Sequence, residues 1–202
     1  MSKIKRFTQR YNDGDIPWDL GRADYNLTEM VVNWPIMPGK TLELGCGTGD
    51  NALWMAEHKF EVTAFDLIEV AVNLAKSKAL TANVHVDFYV ADILKDEIPN
   101  APFDFVFDRG VFHTVDEPDE RTLFARNVSK LMNNDGLWLS LIGSNDQVRE
   151  GQGPPKRSAK EILAAVEPFF ELLLLKVSNF DSKDENPAKI WVCLMKKRTN
   201  DY

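Results

Sequence analysis

Cysteine is scarce: the 202 residues hold only Cys46 and Cys193. Two cysteines exclude a disulfide scaffold and a zinc site built from cysteine pairs. Histidine is almost as rare. His58, His85 and His113 lie far apart and form no pair at metal-ligand spacing, so no metal is expected. Positive charge is in deficit, with 24 Lys and Arg against 31 Asp and Glu and a net charge of −7. Nucleic acids are bound largely by neutralising phosphates, so this balance argues against a nucleic-acid partner. It argues equally against a polybasic membrane anchor. No apolar run approaches the roughly 20 residues that span a bilayer. The basic start, Met1 to Arg6, is followed by no apolar segment and does not read as a secretory signal. Repeats, low-complexity tracts and long linkers are missing as well. These absences leave a soluble, reduced, cytoplasmic protein as the expectation.

What is present is ordinary core material. Hydrophobic residues make up 44% and charged residues 27%, the balance of one globular domain. Tyr11 to Gly21 is rich in turn formers, and Leu27, Met30, Val31 and Trp34 recur at helical spacing until Pro35. Strands are then expected at 40–44, 61–65, 84–90, 103–107 and 137–142. Helices are expected at 51–58, 68–79, 119–132 and 159–166. Two last strands, 169–177 and 190–194, have only a polar loop between them and should pair antiparallel. Alternating strands and helices imply a mostly parallel, doubly wound α/β sheet of about seven strands with a C-terminal antiparallel hairpin.

The sharpest motif is Glu43-Leu44-Gly45-Cys46-Gly47-Thr48-Gly49, between an expected strand and an expected helix. Glycine lets the backbone turn tightly and approach a ligand. The dinucleotide fingerprint needs a glycine where this chain has Asp50, and an acidic side chain at the helix start disfavours a phosphate. A nicotinamide-dependent oxidoreductase is therefore disfavoured. Carboxylates recur at the expected strand ends: Glu43, Asp66, Asp92 and Asp108. In a parallel sheet those ends share one edge, where open α/β proteins bind ligands. Asp66 suits ribose hydroxyls, since a carboxylate accepts from both. Asp92, beside Ile93 and Leu94, suits an adenine amine.

These residues resemble the class I S-adenosylmethionine-dependent methyltransferases. The resemblance rests on E-L-G-C-G-T-G at 43–49, A-F-D-L at 64–67, V-A-D-I at 90–93, F-D-F-V-F-D-R-G at 103–110 and N-D-G-L-W-L at 134–139. Pro17-Trp18-Asp19-Leu20-Gly21-Arg22 and Gly153-Pro154-Pro155 resemble segments of the thiopurine, thiol and halide methyltransferase group. An aromatic residue commonly follows the two prolines there; this chain has Lys156.

The resemblance implies S-adenosylmethionine as cofactor, S-adenosylhomocysteine as product and a small-molecule acceptor. It implies a single domain with a cofactor-covering segment at 1–38, a cofactor-binding core at 39–142 and acceptor-side elements at 143–202. Gly45, Cys46, Gly47 and Gly49 would line the methionine part, with Glu43 beneath. Asp66 would hold the ribose and Leu67 would pack on the adenine. Asp92 and Ile93 would meet the adenine amine. Trp18 would cover the cofactor, Arg22 would reach its carboxylate, and Asp108 would lie near the reactive methyl. Arg109, His113 and Lys156 are candidates for the acceptor side. Asp108 and His113 are the candidates for a catalytic role. The flanking resemblance favours a thiol or related soft nucleophile; an O- or N-methyltransferase and a non-catalytic cofactor-binding protein stay open as alternatives. Methylation of DNA bases is disfavoured, because Asp108-Arg109-Gly110-Val111 stands where a polar-Pro-Pro-aromatic motif would, and no Pro-Cys pair follows that strand.

Overall fold

The computed structural model describes residues 2–147 and 153–199. The elements in chain order are α1 (Lys3–Asp13), α2 (Tyr25–Asn33), β1 (Lys40–Leu44), α3 (Asp50–Glu57), β2 (Glu61–Asp66), α4 (Glu69–Ala82) and β3 (Asp87–Val90). Then follow β4 (Phe103–Arg109), a 3₁₀ turn (Phe112–Thr114), α5 (Pro118–Lys130), β5 (Met132–Gly143), α6 (Ala159–Val166), β6 (Phe170–Asn179) and β7 (Lys189–Lys197). The seven strands form one sheet in the order β3-β2-β1-β4-β5-β7-β6. β1 to β5 run parallel, β7 pairs antiparallel with β5, and β6 pairs antiparallel with β7. The expected closing hairpin is therefore present. The sheet turns back on itself at β1, so the loops after β1 and β4 diverge to opposite sides and open a crevice between them.

Alternation along each strand sends side chains to two cores. One face carries Glu43, Val62, Ala64, Phe105 and Phe107, with Leu27 and Met30 of α2, Met55 of α3 and Val72 and Ala75 of α4 packed in that core. The other carries Leu42, Leu44, Val106 and Trp138 against Phe124 and Val128 of α5 and Ile162 and Val166 of α6. The helix ends are set locally. Pro118 opens α5 with Asp119 and Glu120 in its first turn, and Ser158 and Glu161 form a reciprocal capping box on α6.

Two departures from the sequence expectation matter. α1 forms where only turn formers were expected at its end. Ser2 caps its first turn, accepting from the Lys5 amide, and Gly14 closes it in the left-handed region at φ 70°. β5 begins at Met132 rather than 137, because Met132 already pairs with Phe103 and a register shift absorbs the turn formers at 133–136. Among the described residues, no helix is long and apolar enough to cross a membrane.

Candidate active site

The C-terminal strand ends place Glu43, Asp66 and Asp92 around the glycine loop. Three glycines there sit in the left-handed region, Gly45 at φ 62°, Gly47 at φ 54° and Gly49 at φ 88°. A Cβ on Gly45 would fall 2.2 Å from Val111 Cγ2, so the loop lies directly against the segment that follows β4. A Cβ on Gly47 would come within 3.1 Å of the Tyr11 hydroxyl, which reaches down from α1.

Asp66 organises this loop. Its Oδ2 accepts the Gly47 N–H at 2.9 Å and its Oδ1 the Ile68 N–H at 2.9 Å. Burial raises its pKa, and the surrounding backbone N–H groups oppose that shift. Leu67 beside it is 38% exposed, a large aliphatic surface available to a ligand. Asp92 caps the next turn through Leu94 N–H at 3.0 Å and pairs with Lys95 at 2.8 Å. Ile93 is buried, and its carbonyl accepts from Asn127 at 2.8 Å.

Glu43 lies beneath the loop, fully buried. Its Oε1 accepts from Asn51 Nδ2 at 3.1 Å, while Oε2 has no partner. Burial pushes its pKa up to about 8. A carboxyl held this way is protonated at neutral pH in the free protein and keeps one oxygen without a partner, and a cation beside it would favour the ionised form. Together with the further lone pairs of Asp66 and the open face of Leu67, the donor set fits S-adenosylmethionine, which brings an ammonium, a sulfonium, a ribose and an adenine.

The N-terminal segment is laid across this edge. Lys3 Nζ donates to the Thr114 carbonyl, and Tyr11 packs with Phe7, Trp18, Ile68 and Ala71. Trp18 is half-buried, donates from Nε1 to the Tyr11 hydroxyl at 3.1 Å and carries Arg10 over its ring. A cluster that the sequence did not announce fastens the segment. Lys78 Nζ donates to Thr48 Oγ1 and Asp50 Oδ1, both at 2.7 Å, and to Asp19 Oδ1 at 3.1 Å. Asp50 Oδ2 in turn accepts the Gly21 N–H at 2.8 Å.

Several expected site residues have other work. Asp108 is fully buried, and its side chain shares the face of Val106, away from the glycine loop. Its Oδ1 accepts the Val111 and Phe112 N–H groups at 3.1 Å, and its Oδ2 the Trp138 indole at 3.0 Å. It holds a turn rather than facing the reactive methyl. Asp108→Ala leaves two buried donors and one half-buried donor unpaired, at about 1–3 kcal/mol for each buried one. It should lower stability by about 3 kcal/mol or more in a urea titration; an unchanged midpoint would remove this structural role.

Arg22 does not reach the loop: it pairs with Asp181 at 2.7 Å. Arg109 pairs with buried Asp24 at 2.6 Å, donates to the Asp181 carbonyl and lies over the Phe180 ring. It ties the cover to β4 rather than standing free for an anionic acceptor. Lys156 Nζ donates to the Gln147 carbonyl at 2.8 Å. Residues 148–152 of the expected acceptor-side loop lie outside the described residues. Cys46 is buried, its Sγ set against the Gly47 carbonyl, and burial holds its thiol well above its ordinary pKa. His113 is buried as a neutral ring. Its Nδ1 accepts the Gly143 N–H at 2.8 Å, and burial with nearby cations pushes its pKa down to about 3, so it is no general base.

A hollow of about 600 Å³ lined by Ala56, Phe60, Val62 and Val84 opens at the opposite, N-terminal end of β2 and β3. Its lining includes none of Glu43, Asp66, Asp92 and the loop glycines, and the chemistry lies with the loop rather than with this hollow.

A family model described as a methyltransferase domain matches residues 41–136. Thiocyanate methyltransferase 1 of Brassica oleracea is 30% identical over 188 residues, covering 89% of this chain and 76% of that protein. Probable thiol methyltransferase 2 of Arabidopsis thaliana is 32% identical over 144 residues, 70% of this chain and 62% of its own length. The solved structure described for conversion of a disulfide bond into a thioacetal group during echinomycin biosynthesis superposes with a TM-score of 0.84 at 21% identity, over 99% of this chain and 95% of the other. That last likeness shows the shared fold. The chain belongs to the class I S-adenosylmethionine-dependent methyltransferases, near the thiol and thiocyanate methyltransferases.

Proposed function

We propose that this chain methylates a small thiol-type acceptor. The observation that carries this reading is similarity to a thiocyanate methyltransferase across 89% of the chain, which reaches beyond the core into both flanks. In this reading 1–38 is the cover, 39–142 the cofactor-binding core and 143–202 the acceptor side. S-adenosylmethionine, when bound, supplies a methyl carbon already activated by the attached sulfonium. The chain has to hold and position. Asp66 accepts from ribose hydroxyls while keeping its two backbone bonds. Leu67 and Ile93 flank the adenine, and Asp92 accepts from its amine. The backbone at 45–49 lines the methionine part, and the empty Glu43 Oε2 balances its positive charge. Trp18 and Tyr11 exclude water.

A thiol has a reference pKa of about 8.5, so a modest downward shift gives the thiolate without a dedicated base. That matches a site whose candidate bases are occupied: Asp108 holds a turn and His113 is neutral. Positioning then supplies the acceleration, up to about 7–11 kcal/mol where reacting atoms are well aligned. Over-tight binding of the sulfonium would not help, since that charge fades during transfer.

The test is calorimetric titration with S-adenosylmethionine, S-adenosylhomocysteine and NAD, followed by turnover with a thiol, thiocyanate and a phenol. The expected result is micromolar binding of the first two and methylation at sulfur. Methylation of the phenol alone, or binding without turnover of any acceptor, overturns it.

A further inference from the structure

β6 forms one edge of the sheet, spans Phe170–Asn179 and reads F-E-L-L-L-L-K-V-S-N. Among the described residues, the backbone of 171–178 bonds only to β7, so about every second residue turns its N–H and C=O outward without a partner. The side chains add apolar surface: Leu172 and Leu173 are each 39% exposed and Val177 is 52% exposed. β3, at the other edge, is only four residues long. A long apolar edge is a template for another strand. Natural edges are commonly blunted by a lysine or a bulge, and β6 has both, in Lys176 and in the register shift between Leu172 and Leu174. Here the two work the other way.

Side chains an odd number of residues apart on a regular strand point to opposite faces. Glu171 and Lys176 do not. Glu171 lies opposite Lys196 and Lys176 opposite Val192, an even step along β7, because residue 173 is the extra residue of the bulge. The acid and the base therefore stand on one face, at the two ends of the leucine run. When a strand pairs antiparallel with a copy of itself about a two-fold axis, residue i meets residue j and j meets i. Directly opposed side chains share a face. An axis between Leu173 and Leu174 meets this condition: Glu171 of each copy faces Lys176 of the other, and Leu172 faces Leu175. Two opposite-charge pairs then bracket an apolar centre. A slip by one residue sets opposed side chains on opposite faces, and a slip by two breaks both charge pairs. Lys176 already pairs with Glu29 of α2 at 3.2 Å, but such exposed pairs hold weakly, so it is open to a second carboxylate. Val32, one turn on from Glu29, is 80% exposed and widens the patch.

We infer that β6 is a homodimer interface: two copies of this chain join edge to edge, β6 antiparallel to β6, and continue one sheet through both. The main-chain bonds supply adhesion, the leucines bury apolar surface, and the paired Glu171 and Lys176 fix the register. The glycine loop follows β1, on the far side of β4, β5 and β7, so each copy keeps its own cofactor edge.

The experiment is sedimentation of the full chain over about 1 to 200 µM. The expected result is a reversible dimer of twice the 23.0 kDa chain mass. Glu171→Lys and Lys176→Glu each set like charges opposite one another at both ends, and each should weaken the dimer about tenfold or more. Mixed in equal amounts, the two variants should form a heterodimer as tight as the wild-type dimer. The first then offers two cations and the second two carboxylates, so every opposed pair is again unlike. A purely structural effect of either change would not be rescued by mixing. Hydrogen exchange of the wild type needs no variant: amides within 171–178 should become protected as concentration rises through the dissociation constant. A monomer at every concentration overturns the inference and leaves the edge to a foreign strand. A dimer that neither change weakens, variants that mixing does not rescue, or exchange at 171–178 that ignores concentration places the contact elsewhere and overturns it too. Growth beyond two copies does the same, because an isologous edge closes at the dimer.

Discussion

Asp66→Ala is expected to weaken binding of S-adenosylhomocysteine by about 100-fold or more, and to do so through two effects at once. The carboxylate joins the glycine loop to the β2–α4 turn, with Gly47 and Ile68 each donating at 2.9 Å. Hydrogen bonds to a charged group contribute about 1.5–3 kcal/mol each, so losing both loosens the loop before any ligand arrives. The proposed ribose contact is lost as well. Asp66→Asn should not rescue, because its amide turns an N–H towards one of two backbone N–H groups. Asp92→Ala is the contrast. Asp92 makes one backbone bond and one to Lys95, whose side chain is 75% exposed, so a loss of about tenfold is expected there. Titration calorimetry reads the affinities, and thermal melts should show the Asp66 variant lower by about 6–12 °C or more, at about 2–4 °C per kcal/mol for a chain of this size. If Asp66→Ala binds as well as wild type, or Asp92→Ala loses more than Asp66→Ala, the cofactor does not sit on β2 as proposed.

The same residues show what one chain discloses about itself and what it hides. The strands between 40 and 109 are legible because buried parallel strands are near-continuous apolar runs, and Phe103 to Phe107 is one. The loop of glycines is legible because its backbone conformation leaves little choice of residue. α1 was missed because its residues are mostly polar; mean hydropathy hides an apolar stripe of Ile4, Phe7 and Tyr11, with Ser2 and Gly14 as its end signals. That stripe was available and was outweighed by the turn formers that follow.

Asp108 was misassigned for a different reason. Ending a strand puts a carboxylate at the sheet edge, but strand parity decides which face it meets. In Phe105-Val106-Phe107-Asp108-Arg109, Asp108 shares parity with Val106 and therefore faces Trp138, while Arg109 follows Phe105 and Phe107 to the other core. Counting by two would have separated them. The ion pairs are a harder case. Asp24 with Arg109 and Arg22 with Asp181 join residues 85 and 159 positions apart. Each partner alone looks like a solvated surface charge. Only the folded cover, pulled down by Lys78 on Asp19 and Asp50, brings them together.

Glu43 carries the second large expectation, because its charge state and cofactor binding are coupled. In the free protein its pKa sits at about 8, raised first by burial and further by the charges of Asp50 and Asp66, with Asn51 pulling the other way. The unfolded chain ionises Glu near 4.3. The folded pKa is the higher, so this residue's contribution to stability is full below the unfolded value and is lost as pH rises through about 8. A shift of this size makes the loss of the order of 4 kcal/mol. Glu43→Gln keeps the Asn51 bond and carries no charge. It should remove that slope and leave the free protein more stable than wild type at pH 8 in urea titrations. Binding turns the argument round. A cation placed beside the empty Oε2 favours the carboxylate, so S-adenosylmethionine should expel a proton from Glu43 below about pH 8. Its affinity should then rise from about pH 6 to 8, by at most about tenfold per pH unit. In Glu43→Gln the affinity should be flat with pH and weaker at the alkaline end. Calorimetry at pH 7 in two buffers of different ionisation enthalpy counts the proton directly. Comparing S-adenosylmethionine with S-adenosylhomocysteine separates the sulfonium's share from the ammonium's. If no proton is released, and wild type and Glu43→Gln share one pH dependence, the buried carboxylate lies outside the cofactor's field and serves only to hold Asn51, and through it the Asp24 amide, beneath the loop.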